Sequence, residues 1–128
     1  MGNNQKQGAD ERSEVSTQST VGLDDDRLYR VLAARPRRRL LYYLNNADRS
    51  TATELAEVLV GWERSRQGGM ASESEYHRVL TALRHSHLPL LDDAGLVAYN
   101  AETGTVECEP LDAEVGTLLT RSIEAETA

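Results

Sequence analysis

Cysteine and lysine are each represented once in this chain. No apolar run is long enough to cross a bilayer. A lone Cys108 excludes an internal disulfide and a cysteine metal cluster. There is no CxxC pair, no glycine-rich phosphate loop, and no Ser-His-Asp or Cys-His arrangement at a recognisable spacing. An enzyme therefore has no positive support, and neither cofactor nor metal is expected. The first residues lack the charged-then-apolar pattern of a secretory signal. Met1-Gly2 opens the chain, but Lys6 stands where a myristoylation signal has Ser or Thr. The expectation is a cytoplasmic protein with no membrane partner.

The shortage of lysine is part of a wider imbalance. Asp and Glu number 21 against 14 basic residues, for a net charge of -7, and every basic residue except Lys6 is arginine. Acidic excess with almost no lysine fits a salt-adapted cytoplasm, where carboxylates keep the surface hydrated. A coding bias towards arginine produces the same composition. Residues 21 to 110 hold 11 Arg and 14 Asp plus Glu, a net of -3, whereas a DNA-binding domain normally has a basic footprint. At molar salt the counterion-release contribution is small for any protein, which weakens that objection without removing it.

What is present reads as one domain, since 128 residues support one hydrophobic core. Residues 1 to 20 are polar and cannot bury enough surface to offset chain entropy, so they read as a disordered tail. Asp24, Asp25 and Asp26 read as helix caps, not metal ligands, because consecutive carboxylates diverge on a helix. A first helix of about Asp25 to Ala34 has Leu28, Val31 and Leu32 on one side. A second opens at Pro36, where the missing N–H costs nothing, buries Leu40, Leu41, Tyr43 and Leu44, and fades near Asn45 and Asn46. Thr51 with Glu54 is a capping box for a third, lined by Leu55, Ala56, Leu59 and a core Trp62 to about Arg66. Residues 67 to 70 form a flexible turn.

The organising stretch runs from Ser72 to Val97. Ser72 with Glu75 is a second capping box. Tyr76, Val79, Leu80, Leu83, His87, Leu90, Leu91 and Ala94 recur at helical spacing, Pro89 imposes a bend, and Gly95 suits a left-handed cap. Leu96 to Tyr99 and Thr105 to Glu109 then pair around the turn Asn100 to Gly104 as a two-stranded wing. Residues 111 to 128 form a terminal amphipathic helix and short tail. Leu111, Val115, Leu118, Leu119 and Ile123 serve a dimer contact or pack across the first helix, with equal support for each. The fold class is mainly α with a small β-hairpin (α+β), a winged helix-turn-helix.

On a helical wheel Arg78, Thr81, Ala82, His85 and Pro89 lie opposite the apolar stripe, with Arg84 and Ser86 flanking it. His85 and His87 are two residues apart and cannot share a metal; His87 reads as a core histidine and His85 as outward-facing. Arg37, Arg38 and Arg39 form the most basic patch. It either meets phosphates or is a solvated helix start paired with the acids at 24 to 26. Asp92 and Asp93 diverge as neighbours and read as a solvated helix end.

Leu55-Ala56, His87-Leu88, Leu90-Leu91 and Asp93-Ala94-Gly95-Leu96-Val97 with the following hairpin resemble the ArsR-like winged helix-turn-helix pattern. The longer string from PRRRLLYYL through ELAEVLVGWE to HSHLPLLDDAGLV is similar to winged-helix domains of uncharacterised function from halophilic archaea. The resemblance covers about residues 24 to 110. It implies a DNA-binding transcriptional regulator, often dimeric, whose partner is double-stranded DNA. It would set Thr81, Ala82, Arg84, His85 and Ser86 towards the major groove and the wing tip, Asn100 and Thr103 included, towards phosphates or the minor groove. Arg78 joins Arg84 and His85 as an expected main contact, with Arg37 to Arg39 adding phosphate contacts. The chain departs from the pattern in a long link between Val60 and Ser72, in Asp92-Asp93, in Glu102, Glu107 and Glu109 on the wing, and in lacking metal-sensing cysteines. The acidic wing supports an alternative: a winged-helix protein-interaction module without DNA binding.

Overall fold

In the computed structural model, which describes residues 24–127, the first helix starts where the acidic run ends. The tail expected over residues 1 to 20 lies outside the described residues. Helix α1 (Asp26–Leu32) is capped by Asp25, whose carboxylate accepts from the Arg27 N–H at 2.9 Å. Helix α2 (Arg35–Ala47) has Pro36 in its first turn and buries Leu40, Leu41 and Leu44. Asp48, at φ 70°, turns the chain out of α2. A three-residue strand β1 (Arg49–Thr51) follows and leads into α3 (Ala52–Gln67).

The two predicted caps form. Thr51 accepts from the Glu54 N–H at 3.1 Å, and Ser72 accepts from the Glu75 N–H at 3.0 Å at the start of α4 (Glu73–Ala82). Their reciprocal arms do not close. The Glu54 carboxylate takes the hydroxyl of Ser50 instead, and that of Glu75 pairs with Arg64 Nε at 3.4 Å. Helix α3 continues to Gln67, so the link to α4 is confined to residues 68 to 72, with Gly68 and Gly69 both at positive φ. The long link expected from Val60 is therefore mostly helix.

The stretch read as one bent helix departs from that expectation in its middle. Leu83–His87 is a π-helical turn, and α5 (Leu88–Asp93) resumes after it. The Leu88 N–H reaches back five residues to the Leu83 carbonyl. In a regular α-helix, positions five apart do not share a face. The wider turn brings Leu83 and Leu88 to the same side, and both are completely buried. Pro89 sits in the first turn of α5, so the π turn absorbs the crowding its ring would impose on the preceding turn. Gly95, at φ 79°, ends α5 in a Schellman arrangement: its N–H reaches the Asp92 carbonyl and that of Leu96 reaches the Leu91 carbonyl, each at 3.0 Å.

Strands β2 (Val97–Asn100) and β3 (Thr105–Cys108) make the expected hairpin, but the sheet has three strands, ordered β1-β3-β2 and wholly antiparallel. Ser50 and Tyr99 oppose Val106 from either side. Helix α6 (Ala113–Thr127) lies across α2, not α1, and buries Val115, Leu119 and Ile123 there. Its stripe is thus largely covered within the chain, leaving Leu118 as its exposed large apolar side chain. One buried cluster runs from Leu28 to Leu119 through α1 to α6 and the sheet. The architecture is mainly helical with a small antiparallel sheet, laid out as a winged helix. No helix among the described residues is long and apolar enough to cross a membrane.

Candidate nucleic-acid interface

Leu83 and Leu88 both point inward, and of the four residues between them Arg84, His85 and Ser86 are exposed while His87 is half-buried. Arg78 and Thr81 are exposed one turn earlier on α4. His77, Arg78, Thr81, Ala82, His85 and Ser86 together line a shallow depression on this outer surface. The side chains of Arg78, Thr81, Arg84, His85 and Ser86 make no hydrogen bond or ion pair with another described residue. The structure therefore brings Arg78, Thr81, His85 and Ser86 together on one open surface, while Arg84 is exposed on the same π turn without lining that depression.

His87 closes the π turn from inside. Arg37 Nη1 lies 3.3 Å from its Nδ1. A guanidinium only donates, so Nδ1 is the acceptor and the ring proton sits on Nε2. Burial, and then the Arg37 charge, hold the His87 pKa below its ordinary value of 6.5. The expected core histidine is half-buried, neutral and bonded.

The arginine run at the start of α2 takes neither of its expected roles. Arg37 donates through Nε to the Val31 carbonyl at 2.8 Å and through Nη2 to that of Arg30 at 3.0 Å. Arg38 Nη1 donates to the Leu32 carbonyl at 2.8 Å. These carbonyls belong to the last turn of α1; that of Arg30 also accepts from the Ala33 N–H at 3.3 Å, while those of Val31 and Leu32 have no following turn to satisfy them. Arg39 is 4 % exposed; its Nε meets Glu126 at 2.9 Å and its Nη1 meets Glu63 at 3.1 Å. Its guanidinium carbon stands 5.3 Å from the centroid of Trp62, whose ring also meets Tyr42 edge-on. Neither a phosphate-facing patch nor a solvated run paired with residues 24 to 26 is present; Asp25 pairs with Arg27 instead.

The wing tip is largely self-bonded. Asn100 Oδ1 accepts from the N–H groups of Glu102 at 2.9 Å and Thr103 at 3.3 Å, and the hydroxyls of Thr103 and Thr105 are 2.8 Å apart. Gly104 takes φ 79°, and its carbonyl accepts from the Ala52 N–H at 2.8 Å, pinning the turn to the start of α3. Asn100 and Thr103 are exposed, but both side chains hold the turn's own shape. Glu107 pairs across the sheet with Arg49, while Glu102, Asp92 and Asp93 are exposed.

Elsewhere the chemistry is quiet. Burial, followed by Asp48 and Glu109, pushes the Cys108 thiol up to about 11, so it stays protonated at neutral pH. Among the described residues no cluster of three or more His, Cys, Asp or Glu side chains could hold a metal ion. The feature that helical-wheel reasoning missed is the π turn. Its signal was the five-residue step from Leu83 to Leu88 just before Pro89.

Neither a curated protein nor a solved structure matches the chain. The family described as a domain of unknown function, DUF7344, matches residues 29–107, from within α1 to within β3. That match spans more than half of the sequence, and the chain belongs to this family.

Proposed function

We propose that the domain is a DNA-binding transcriptional regulator that reads duplex DNA with α4 and the π turn. The observation that supports this most is the set of five open side chains, Arg78, Thr81, Arg84, His85 and Ser86, on the recognition-helix position of a winged helix. The ArsR-like resemblance of the sequence supports the same reading. Arg78 and Arg84 are the residues suited to bidentate contacts with guanine, and His85 and Ser86 to single contacts beside them. Arg37, Arg38 and Arg39 drop out of the interface, because their guanidiniums are engaged inside the fold. The wing tip contributes backbone at most, held in place by Asn100. A cytoplasmic, salt-adapted setting fits the charge balance. A homodimer through the terminal helices would rest on Leu118 and Tyr29, the exposed large apolar side chains of α6 and α1.

A second reading, a protein-interaction module, is favoured by the exposed acids Asp92, Asp93 and Glu102 beside the wing. Chromatin pull-down with sequencing separates the two. Discrete promoter peaks support DNA reading; their absence, with a stable protein partner recovered, supports the second.

A further inference from the structure

The outer depression on α4 and the π turn stands out by what lines it. The chain carries 21 Asp and Glu residues, yet no carboxylate among the described residues lines this hollow. Glu73 and Glu75, on the same helix, lie outside it, and Glu75 is paired with Arg64 at 3.4 Å. The surface of the depression is nevertheless mainly carbon. Along the helix, Thr81 and Ala82 stand one turn after Arg78 and one turn before His85 and Ser86. An apolar patch thus lies between a guanidinium and two smaller polar groups.

A carbon-lined hollow facing the major groove has one complement there. Every base pair presents donors and acceptors in that groove, but its apolar group is the C5 methyl of thymine. Thymine sets an O4 acceptor beside that methyl. The depression has the matching order: carbon at Thr81 and Ala82, then donors at His85 and Ser86. An imidazole carries at least one N–H in every protonation state and a hydroxyl can always donate, so O4 finds a donor whichever tautomer His85 holds. Spacing fits as well. Thr81 and Ala82 follow Arg78 by three and four residues, about 4.5–6 Å along the helix axis. Base pairs rise by about 3.4 Å, so the two sites are one or two base pairs apart.

We infer that the depression reads a thymine. Its methyl packs against Thr81 and Ala82, its O4 accepts from His85 or Ser86, and it lies one or two base pairs from the guanine read by Arg78. Thr81 and Ala82 are then specificity-determining residues. The inference rests on the DNA-reading proposal and adds the base that the apolar residues select.

The test takes the duplex that the full native chain selects from a random pool. Each thymine is replaced in turn by deoxyuridine, which lacks only the methyl group. One thymine, within two base pairs of the guanine whose preference Arg78→Ala removes, should be sensitive. Affinity there should fall about three- to fivefold, the effect of one lost methyl contact. The protein is unaltered in this comparison, so a folding defect cannot mimic the result. Thr81→Ser deletes the protein's methyl and keeps its hydroxyl. It should narrow the thymine–deoxyuridine difference to below about twofold at an unchanged melting midpoint, since Thr81 is exposed. Selection of no duplex at all overturns the inference together with the DNA reading. A selected duplex in which no thymine near that guanine responds to loss of its methyl, or undiminished discrimination by Thr81→Ser, overturns the thymine assignment alone.

Discussion

Arg37, Arg38 and Arg39 stand side by side at the start of α2, whereas Arg78 and Arg84 stand apart on α4 and the π turn. In the sequence the first group is the denser basic signal. In the fold it is the engaged one: two guanidiniums close the open carbonyls of α1, and the third is buried between two carboxylates. The scattered pair has no internal partner among the described residues. Density of charge along a chain therefore says little about which charges are available. A guanidinium beside an unsatisfied helix end is drawn inward by the carbonyls there. One on the outer side of an amphipathic helix has nothing of its own chain within reach.

This contrast can be broken most forcefully at Arg39. Arg39→Met leaves Glu126 buried without its partner and should destabilise the fold by about 3–5 kcal/mol, read from chemical denaturation. Adding Glu126→Gln should recover part of that loss. If Arg39→Met were silent, the internal role assigned to the run would be wrong. Arg37→Ala removes two carbonyl bonds and the His87 contact and should cost about 1.5–3 kcal/mol in the same measurement.

Arg84→Ala should show the mirror image. Its stability should stay within about 0.5 kcal/mol of the native chain, while affinity for a cognate duplex falls by about 1–3 kcal/mol in a binding titration. A variant that lost stability but kept DNA affinity would merge the two groups of arginines.

A smaller effect sharpens the link between them, because His87 joins Arg37 to the π turn. Its folded pKa lies below the unfolded value near 6.5, through burial first and the Arg37 charge second. The unfolded chain therefore takes up a proton before the folded one does. Stability from this source is full above about 6.5 and is lost as pH falls from there towards the depressed folded value. Melting midpoints from pH 8 to pH 5 should decline, and His87→Phe should flatten that decline. A decline of equal size in the variant would assign the pH dependence to other groups.

The fold was legible in the sequence wherever local chemistry is decisive. Pro36, Thr51, Ser72 and Gly95 mark helix ends through caps and backbone preferences, and the structure puts the ends there. Strand β1 escaped because three polar residues show no alternation; pairing with β3 makes it a strand. The π turn escaped because a fixed helical wheel assumes a constant period, whereas burying both Leu83 and Leu88 requires a wider turn. For the site, exposure of Arg78, Thr81, His85 and Pro89 followed from the wheel alone, which set Arg84 and Ser86 on the flanks of the stripe; Ala82, also set outward, is half-buried. The engagement of Arg37 to Arg39 did not, since its partners lie on α1, α3 and α6 and are brought near only by tertiary packing.

The central claim is that open arginines on α4 and the π turn read DNA while the α2 run holds the fold. Selection of bound duplexes from a random pool, using the purified full chain beside Arg84→Ala, tests it most directly. The account predicts one enriched sequence motif for the native chain and loss of preference at a guanine position for the variant. No enriched motif with the native chain, or the same motif with undiminished preference in Arg84→Ala, would contradict it.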